Sequence, residues 1–162
     1  MDGYARLIED NDSLRDLIQR WRSTTDSAAE LLPTAARTLA ATARAKDQVL
    51  YPAIRNHAPE RAALVDEAER INAHVLGFLG QAVEIGPGGY AFVENVHEAI
   101  GAADGLLLHE RRDLMPALRE ADWADGAVAE YLTVRETLSA EMPLERLIGG
   151  EGAGEGEGAG RA

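Results

Sequence analysis

Apolar side chains recur every three to four residues along nearly the whole chain, which is the spacing of an amphipathic α-helix. Alanine is abundant and runs of β-branched residues are rare, so the composition also favours helices over strands. The pattern predicts an all-α protein with four long helices, at about residues 4–23, 34–56, 59–85 and 90–120. Because the connections are short, we expect an up-down-up-down four-helix bundle.

Proline and glycine mark the expected helix ends. Pro33 is placed to open the second helix, because a first-turn residue has no intrahelical partner for its N–H group. The sequences NHAP at 56–59 and GPGG at 86–89 end the second and third helices. Pro52 and Pro116 lie inside predicted helices, where each removes a hydrogen bond, so both helices should kink there.

The last 41 residues, 122–162, divide into two parts. Residues 122–148 carry enough apolar positions for one more helix, which we expect to lie across the bundle as an appendage, capped by Asp122 or Asp125. Residues 149–162 are nearly all Gly, Glu and Ala and cannot form a core, so this tail should be disordered. The predicted organisation is therefore a bundle over 1–121, an appended helix over 122–148 and the tail.

Charge and composition exclude several classes of function. The formal net charge of −12 repels nucleic acids and anionic membranes, since both require a basic surface. No cysteine is present, which excludes disulfides and thiolate metal sites. The acidic beginning of the chain does not resemble a secretory signal, and no apolar run reaches the roughly 20 residues of a membrane span. A cytoplasmic protein is expected.

One motif occurs twice. The segment TARAKDQVLYPAIR at 42–55 aligns with LLLHERRDLMPALR at 106–119, and Pro52 and Pro116 are 64 residues apart (116 − 52). Each copy is a helical run that ends in Leu-x-Pro-Ala, an aliphatic residue and Arg. A constant offset between two such segments indicates a duplicated structural unit, with equivalent positions at one level of the bundle.

The doubled motif resembles the hemerythrin family of HHE cation-binding domains, over about residues 5–121. That resemblance implies a four-helix bundle and a di-iron site whose ligands are His and Glu, four residues apart in each copy. The expected histidine positions hold other residues here, namely Asn11, Thr42, Asn72 and Leu106. Of the two glutamate positions, one is Lys46 and the other is Glu110. Five of six implied ligands are therefore replaced.

Five polar residues are expected to point toward the former metal layer. We call them the polar cluster: Asn11, Thr42, Lys46, Asn72 and Glu110. Repeat symmetry places Lys46 opposite Glu110, so we predict a buried ion pair that substitutes for the lost cation. The cluster is either a small pocket for a ligand or a vestigial site closed by its own hydrogen bonds. The second interpretation is favoured, because buried polar groups are normally satisfied within the protein.

A remodelled metal site is the alternative. Asp47, His109 and Glu110 are the residual candidate ligands, and iron is the metal that the resemblance implies. The function expected first is a metal-free, non-enzymatic module that binds an unknown small molecule or protein. Its alternatives are an iron-dependent, oxygen-handling or oxygenase-type protein and a purely structural or interaction protein. Loss of the implied histidines favours the first.

Overall fold

The chain is all-helical in the computed structural model, which describes residues 2–23, 28–86 and 90–148, with only the backbone described for 28–33. No strand occurs within those ranges. The six α-helices are α1 Gly3–Arg22, α2 Ala28–Ala45, α3 Tyr51–His57, α4 Ala62–Ile85, α5 Tyr90–His109 and α6 Ala124–Glu141. Lys46–Leu50 and Glu110–Leu114 are π-helical, and Pro59–Arg61 and Met115–Leu118 are 3₁₀ turns.

Several helix boundaries follow the sequence signals, but α2 begins earlier than predicted. Helix α2 begins at Ala28, so Pro33 lies inside it and the prediction that Pro33 opens this helix is wrong. The residues before Pro33 are good helix formers, and they extend the helix by a turn despite the missing N–H group. The predicted stop at 56–59 is confirmed, because α3 ends at His57. Gly86 ends α4 with a φ of +83°, a conformation that glycine adopts without strain.

Helix α6 completes the core. Helices α4 and α5 pack along their length, α1 lies against α5 and α2 lies against α4, while α6 contacts both α1 and α2. Val128 and Tyr131 of α6 are fully buried, and Leu147 further along the chain is buried as well. The segment expected to lie across the bundle as an appendage is therefore wedged between the first two helices and contributes to the apolar core.

The beginning of α6 is joined to the beginning of α1. Gly3 lies so close to Ala124 that a Cβ at position 3 would be 2.7 Å from the Ala124 backbone. The backbone N–H of Gly3 donates to the Asp125 carboxylate. Asp125 therefore accepts from the first N–H of α1, whose N-cap is Asp2, and the residue that precedes α6 is Trp123, which makes no side-chain cap. The prediction that Asp122 or Asp125 caps the last helix is wrong for this reason.

The end of α6 also departs from the prediction. The helix stops at Glu141, seven residues before the predicted end at 148, because Pro143 cannot continue it. Residues 144–148 form a separate helical turn. The tail at 149–162, expected to be disordered, lies outside the described residues. Among the helices that are described, none has the length and apolar character required to cross a membrane.

Candidate functional site

The two copies of the motif meet in a buried ion pair. Lys46 Nζ lies 2.6 Å from Glu110 Oε1, and the two side chains are only 4% and 2% exposed. The predicted pairing of these residues is confirmed. An ammonium and a carboxylate at this distance form a charge-assisted hydrogen bond, which compensates part of the cost of removing both ions from water.

Each member of the pair is the first residue of a π-helical turn. The N–H of Tyr51 donates to Lys46 O, and the N–H of Met115 donates to Glu110 O, so both bonds span five residues. Pro52 and Pro116 follow directly, and a proline ring would clash with the carbonyl four residues before it in a regular α-helix. The wider turn removes that clash, so the disruption expected at the prolines takes the form of two equivalent π turns.

A tyrosine completes the surroundings of the carboxylate. The hydroxyl of Tyr51 donates to Glu110 Oε2, and Tyr51 is fully buried. Burial, followed by the neighbouring charge of Glu110, raises the pKa of Tyr51 well above its usual value near 10. The phenol is therefore a neutral donor at ordinary pH. Glu110 accepts one hydrogen bond on each oxygen, from Lys46 and from Tyr51.

Asn72 and Thr42 are buried beside the ion pair and hydrogen-bonded to the backbone. Asn72 Nδ2 donates to Ala43 O at 2.9 Å and to Asp47 Oδ1 at 3.2 Å. Thr42 Oγ1 donates to the carbonyl one turn earlier in its own helix, at 2.7 Å. Both side chains thus use their donor groups within the protein, as the closed-site interpretation expects.

Asn11 is the incompletely satisfied member of the polar cluster. Its Nδ2 donates to Leu107 O at 3.0 Å, and the residue is 1% exposed. The Oδ1 atom has no hydrogen-bond partner among the described protein atoms. A buried amide oxygen without a partner costs free energy, so this atom is the weakest point of an otherwise satisfied layer.

A small cavity adjoins the ion pair. Its volume is about 20 Å³, which is enough for one or two water molecules. Thr42, Lys46 and Asn72 supply its polar wall. The remainder is apolar: Leu14, Leu39, Ala43, Val75, Ala103, Leu106 and Leu107. A drug-sized ligand needs several hundred cubic ångströms, so the cavity excludes any such molecule.

The three residual metal candidates bind separate partners. His109 lies with Nε2 3.1 Å from Leu64 O and with Nδ1 3.0 Å from Asp113 Oδ2. Glu110 is engaged in the buried pair, and Asp47 accepts from an amide instead. Burial raises the pKa of Asp47, against the lowering effect of that hydrogen bond. Among the described residues, no group of three or more His, Asp or Glu side chains converges on a point that could hold a metal ion.

Two features of the site were missed by sequence reasoning. The aromatic residue of the Leu-Tyr-Pro run marked the scaffold, yet Tyr51 also contacts Glu110 directly. The second is the link between α1 and α6: Arg135 Nη2 lies 2.7 Å from Asp10 Oδ1, and buried Tyr131 donates to Asp10 Oδ2 at 3.2 Å. The polar residues on an otherwise apolar face of residues 122–148 were the available signal for that link.

Comparisons with known proteins return no relatives. No family model matches the chain, no curated protein matches it, and no solved structure matches it.

Proposed function

We propose that this protein is a cytoplasmic, hemerythrin-like four-helix bundle, completed by α6, that has exchanged a di-iron site for an ion pair and works as a non-enzymatic partner-binding module. The observation that carries the proposal is the Lys46–Glu110 pair. It lies at the two equivalent positions where the family resemblance implies metal-binding carboxylates. Both flanking π turns support the same equivalence, because each begins at one of these positions.

The donor set does not fit a di-iron centre. The positions implied as histidines hold two amides, one hydroxyl and one leucine, none of which replaces imidazole as an iron ligand. Lys46 adds an ammonium beside Glu110, and its positive charge opposes binding of a divalent cation. The one remaining carboxylate is already hydrogen-bonded on both oxygens. We therefore assign this layer a structural role.

The cavity beside the ion pair is too small for a metabolite-sized ligand, which favours a macromolecular partner. With about 20 Å³ beside Lys46, the layer has no room for a metabolite or a haem. Binding then takes place on the surface of the bundle, where helix faces and grooves offer contact area. The strongly acidic charge of −12 disfavours nucleic acids and anionic membranes, and it leaves proteins as the expected class of partner.

Iron analysis tests the metal-free assignment. Protein purified from iron-supplemented cells should contain far less than one iron per chain and lack an oxo-bridge absorption band. Added Fe²⁺ should leave the melting temperature unchanged, since a metal that does not bind the native state cannot stabilise it. The iron-dependent alternative predicts about two iron atoms per chain and a clear rise in melting temperature. Either result would contradict the proposal.

A further inference from the structure

The cavity beside the Lys46–Glu110 pair has room for one very small molecule. Its volume is about 20 Å³, and an enclosed water molecule needs roughly 10–15 Å³. Its walls come from α1, α2, α4 and α5 and from the first π turn. Most of that wall is apolar, so an occupant must find its hydrogen bonds at three polar residues, Thr42, Lys46 and Asn72.

Lys46 has more hydrogen-bond donors than Glu110 accepts. An ammonium group carries three N–H bonds, and within the described part of the chain its one hydrogen-bond acceptor is Glu110 Oε1, at 2.6 Å. The Lys46 side chain is 4% exposed, so bulk solvent offers little to the remaining donors. The cost of burying an ion pair is offset only when its other protons are hydrogen-bonded as well. Lys46 therefore has donors to offer a molecule in the cavity that it lines.

The other two polar residues of the wall have acceptors to offer. The hydroxyl hydrogen of Thr42 is used by Thr38 O, at 2.7 Å, which leaves the lone pairs of the Thr42 oxygen. Asn72 uses both hydrogens of its amide, for Ala43 O and Asp47 Oδ1. Its carbonyl oxygen is then the group that remains to accept. The polar wall thus combines a donor from the first π turn with two acceptors, one from α2 and one from α4.

This set of groups selects a neutral molecule that both donates and accepts. A cation is repelled by the Lys46 ammonium, while an anion would meet two acceptor oxygens close to the Glu110 carboxylate. An apolar guest would leave the donors of Lys46 unmatched. Water can accept from Lys46 and donate two hydrogens, and three hydrogen bonds are the usual number for a buried water.

We propose that one water molecule occupies this cavity, accepting a hydrogen bond from Lys46 Nζ and donating to Thr42 Oγ1 and Asn72 Oδ1. The water links the first copy of the motif to α4. It completes the surroundings of the ammonium as Tyr51 completes those of the carboxylate. This inference rests on the metal-free layer of the proposed function and adds a bound solvent molecule to it.

Two measurements on the full-length chain test the water directly. A high-resolution crystal structure should show one water within hydrogen-bonding distance of all three atoms. In solution, NMR should show a nuclear Overhauser effect between the water resonance and the methyl groups of Leu107, which also lines the cavity. An ion, an apolar guest or no occupant in the crystal would overturn the inference, and so would a missing Overhauser effect at Leu107.

A cavity-filling variant separates the water from the hydroxyl beside it. Val75→Ile adds one methylene to the cavity wall and should abolish the Overhauser effect at Leu107, although Thr42 keeps its exchangeable hydroxyl. It should also lower the melting temperature by about 2–4 °C, because the methylene cannot replace the hydrogen bonds of the water. Val83→Ile, at a half-buried position of the same helix outside the cavity, is the matched control and should keep the signal.

A higher melting temperature for Val75→Ile would overturn the inference, since filling a dry void stabilises a protein. An Overhauser effect that survives in Val75→Ile would overturn it too, because the Thr42 hydroxyl would then be its source. If this variant fails to fold, the crystal and NMR results on the wild type decide alone. Iron analysis stays independent of these outcomes, because a dry cavity in iron-free protein would remove the water and leave the metal-free layer intact.

Discussion

The two copies of the repeated motif share a backbone and differ in charge. Each forms a π turn that ends two residues before a proline, and the two turns begin at equivalent positions, Lys46 and Glu110. At the equivalent positions 51 and 115, the side chain of Tyr51 donates a hydrogen bond to Glu110, whereas the side chain of Met115 has no hydrogen-bond donor. The two copies thus share their backbone geometry, while residue identity decides whether the layer attracts a cation or closes on itself.

The two copies contribute differently to the ion pair, because the first supplies the hydrogen-bond donors and the second supplies the acceptor. Glu110 receives hydrogen bonds from an ammonium and a phenol, both supplied by the first copy of the motif. Placing the same residue at both equivalent positions, 46 and 110, therefore changes both the net charge of the buried layer and its hydrogen bonds.

Placing glutamate at both equivalent positions should destabilise the protein more than any other change considered. In Lys46→Glu, a second carboxylate lies beside Glu110 in a layer with little solvent, so the two cannot both be ionised at low cost. We expect a loss of at least about 3–5 kcal/mol in the free energy of unfolding, measured by urea denaturation. A variant that binds iron and melts at a higher temperature than wild type would contradict the structural role of the layer.

Exchanging the charges should recover much of that loss. The double variant Lys46→Glu with Glu110→Lys restores one positive and one negative group at the same level of the bundle. Tyr51, however, would then face an ammonium and lose its acceptor. We therefore expect the swap to remain about 1.5–3 kcal/mol less stable than wild type, the range for a hydrogen bond to a charged group. Full recovery would show that the two copies are interchangeable.

Removing only the phenolic hydroxyl isolates this difference. Tyr51→Phe keeps the ring and leaves one oxygen of Glu110 without its donor, at an expected cost of about 1.5–3 kcal/mol. Met115→Leu is the matched variant at the equivalent position, and a volume-conserving change there should cost less than about 1.5 kcal/mol. Both values come from denaturant titration. Equal losses would mean that packing, and not the hydrogen bond, gives Tyr51 its importance.

Alkaline pH should lower the stability of the protein through the same Tyr51 hydroxyl. Burial raises the pKa of Tyr51 and that of Tyr131 well above 10 in the folded protein. Above pH 10 the unfolded chain releases these protons and the native state retains them, so stability falls as pH rises, by up to about 1.4 kcal/mol per pH unit for each group. Tyr51→Phe should reduce the slope of unfolding free energy against pH above 10. An unchanged slope would contradict this assignment.

The sequence predicted helices well where a glycine-rich or proline-containing stop ends them, and less well where tertiary contacts decide. Periodicity predicted α1, α4 and α5, and the repeat offset predicted the Lys46–Glu110 pair. Periodicity does not show which helix neighbours which, so it could not place α6 between α1 and α2. A helical pattern also continues smoothly through Pro143, although the backbone does not.

The site was predictable in its charges and not in its hydrogen bonds. All five residues of the polar cluster are buried, as the aligned motifs indicated. The π turns differ from an α-helix by one residue, which the spacing of apolar positions cannot resolve. The outward contacts of His109 with Leu64 and Asp113 depend on the neighbouring helix, so sequence position alone placed this histidine beside the ion pair without its partners.

A double-mutant cycle on Lys46→Met and Glu110→Leu measures whether the two buried charges stabilise each other. Each single change leaves an uncompensated charge in the core and should cost about 3–5 kcal/mol, while the double variant should cost much less or be stabilising. The two changes should thus show a coupling of several kcal/mol in urea denaturation. Additive losses, with coupling below about 0.5 kcal/mol, would contradict the account, since the two charges would then not depend on each other.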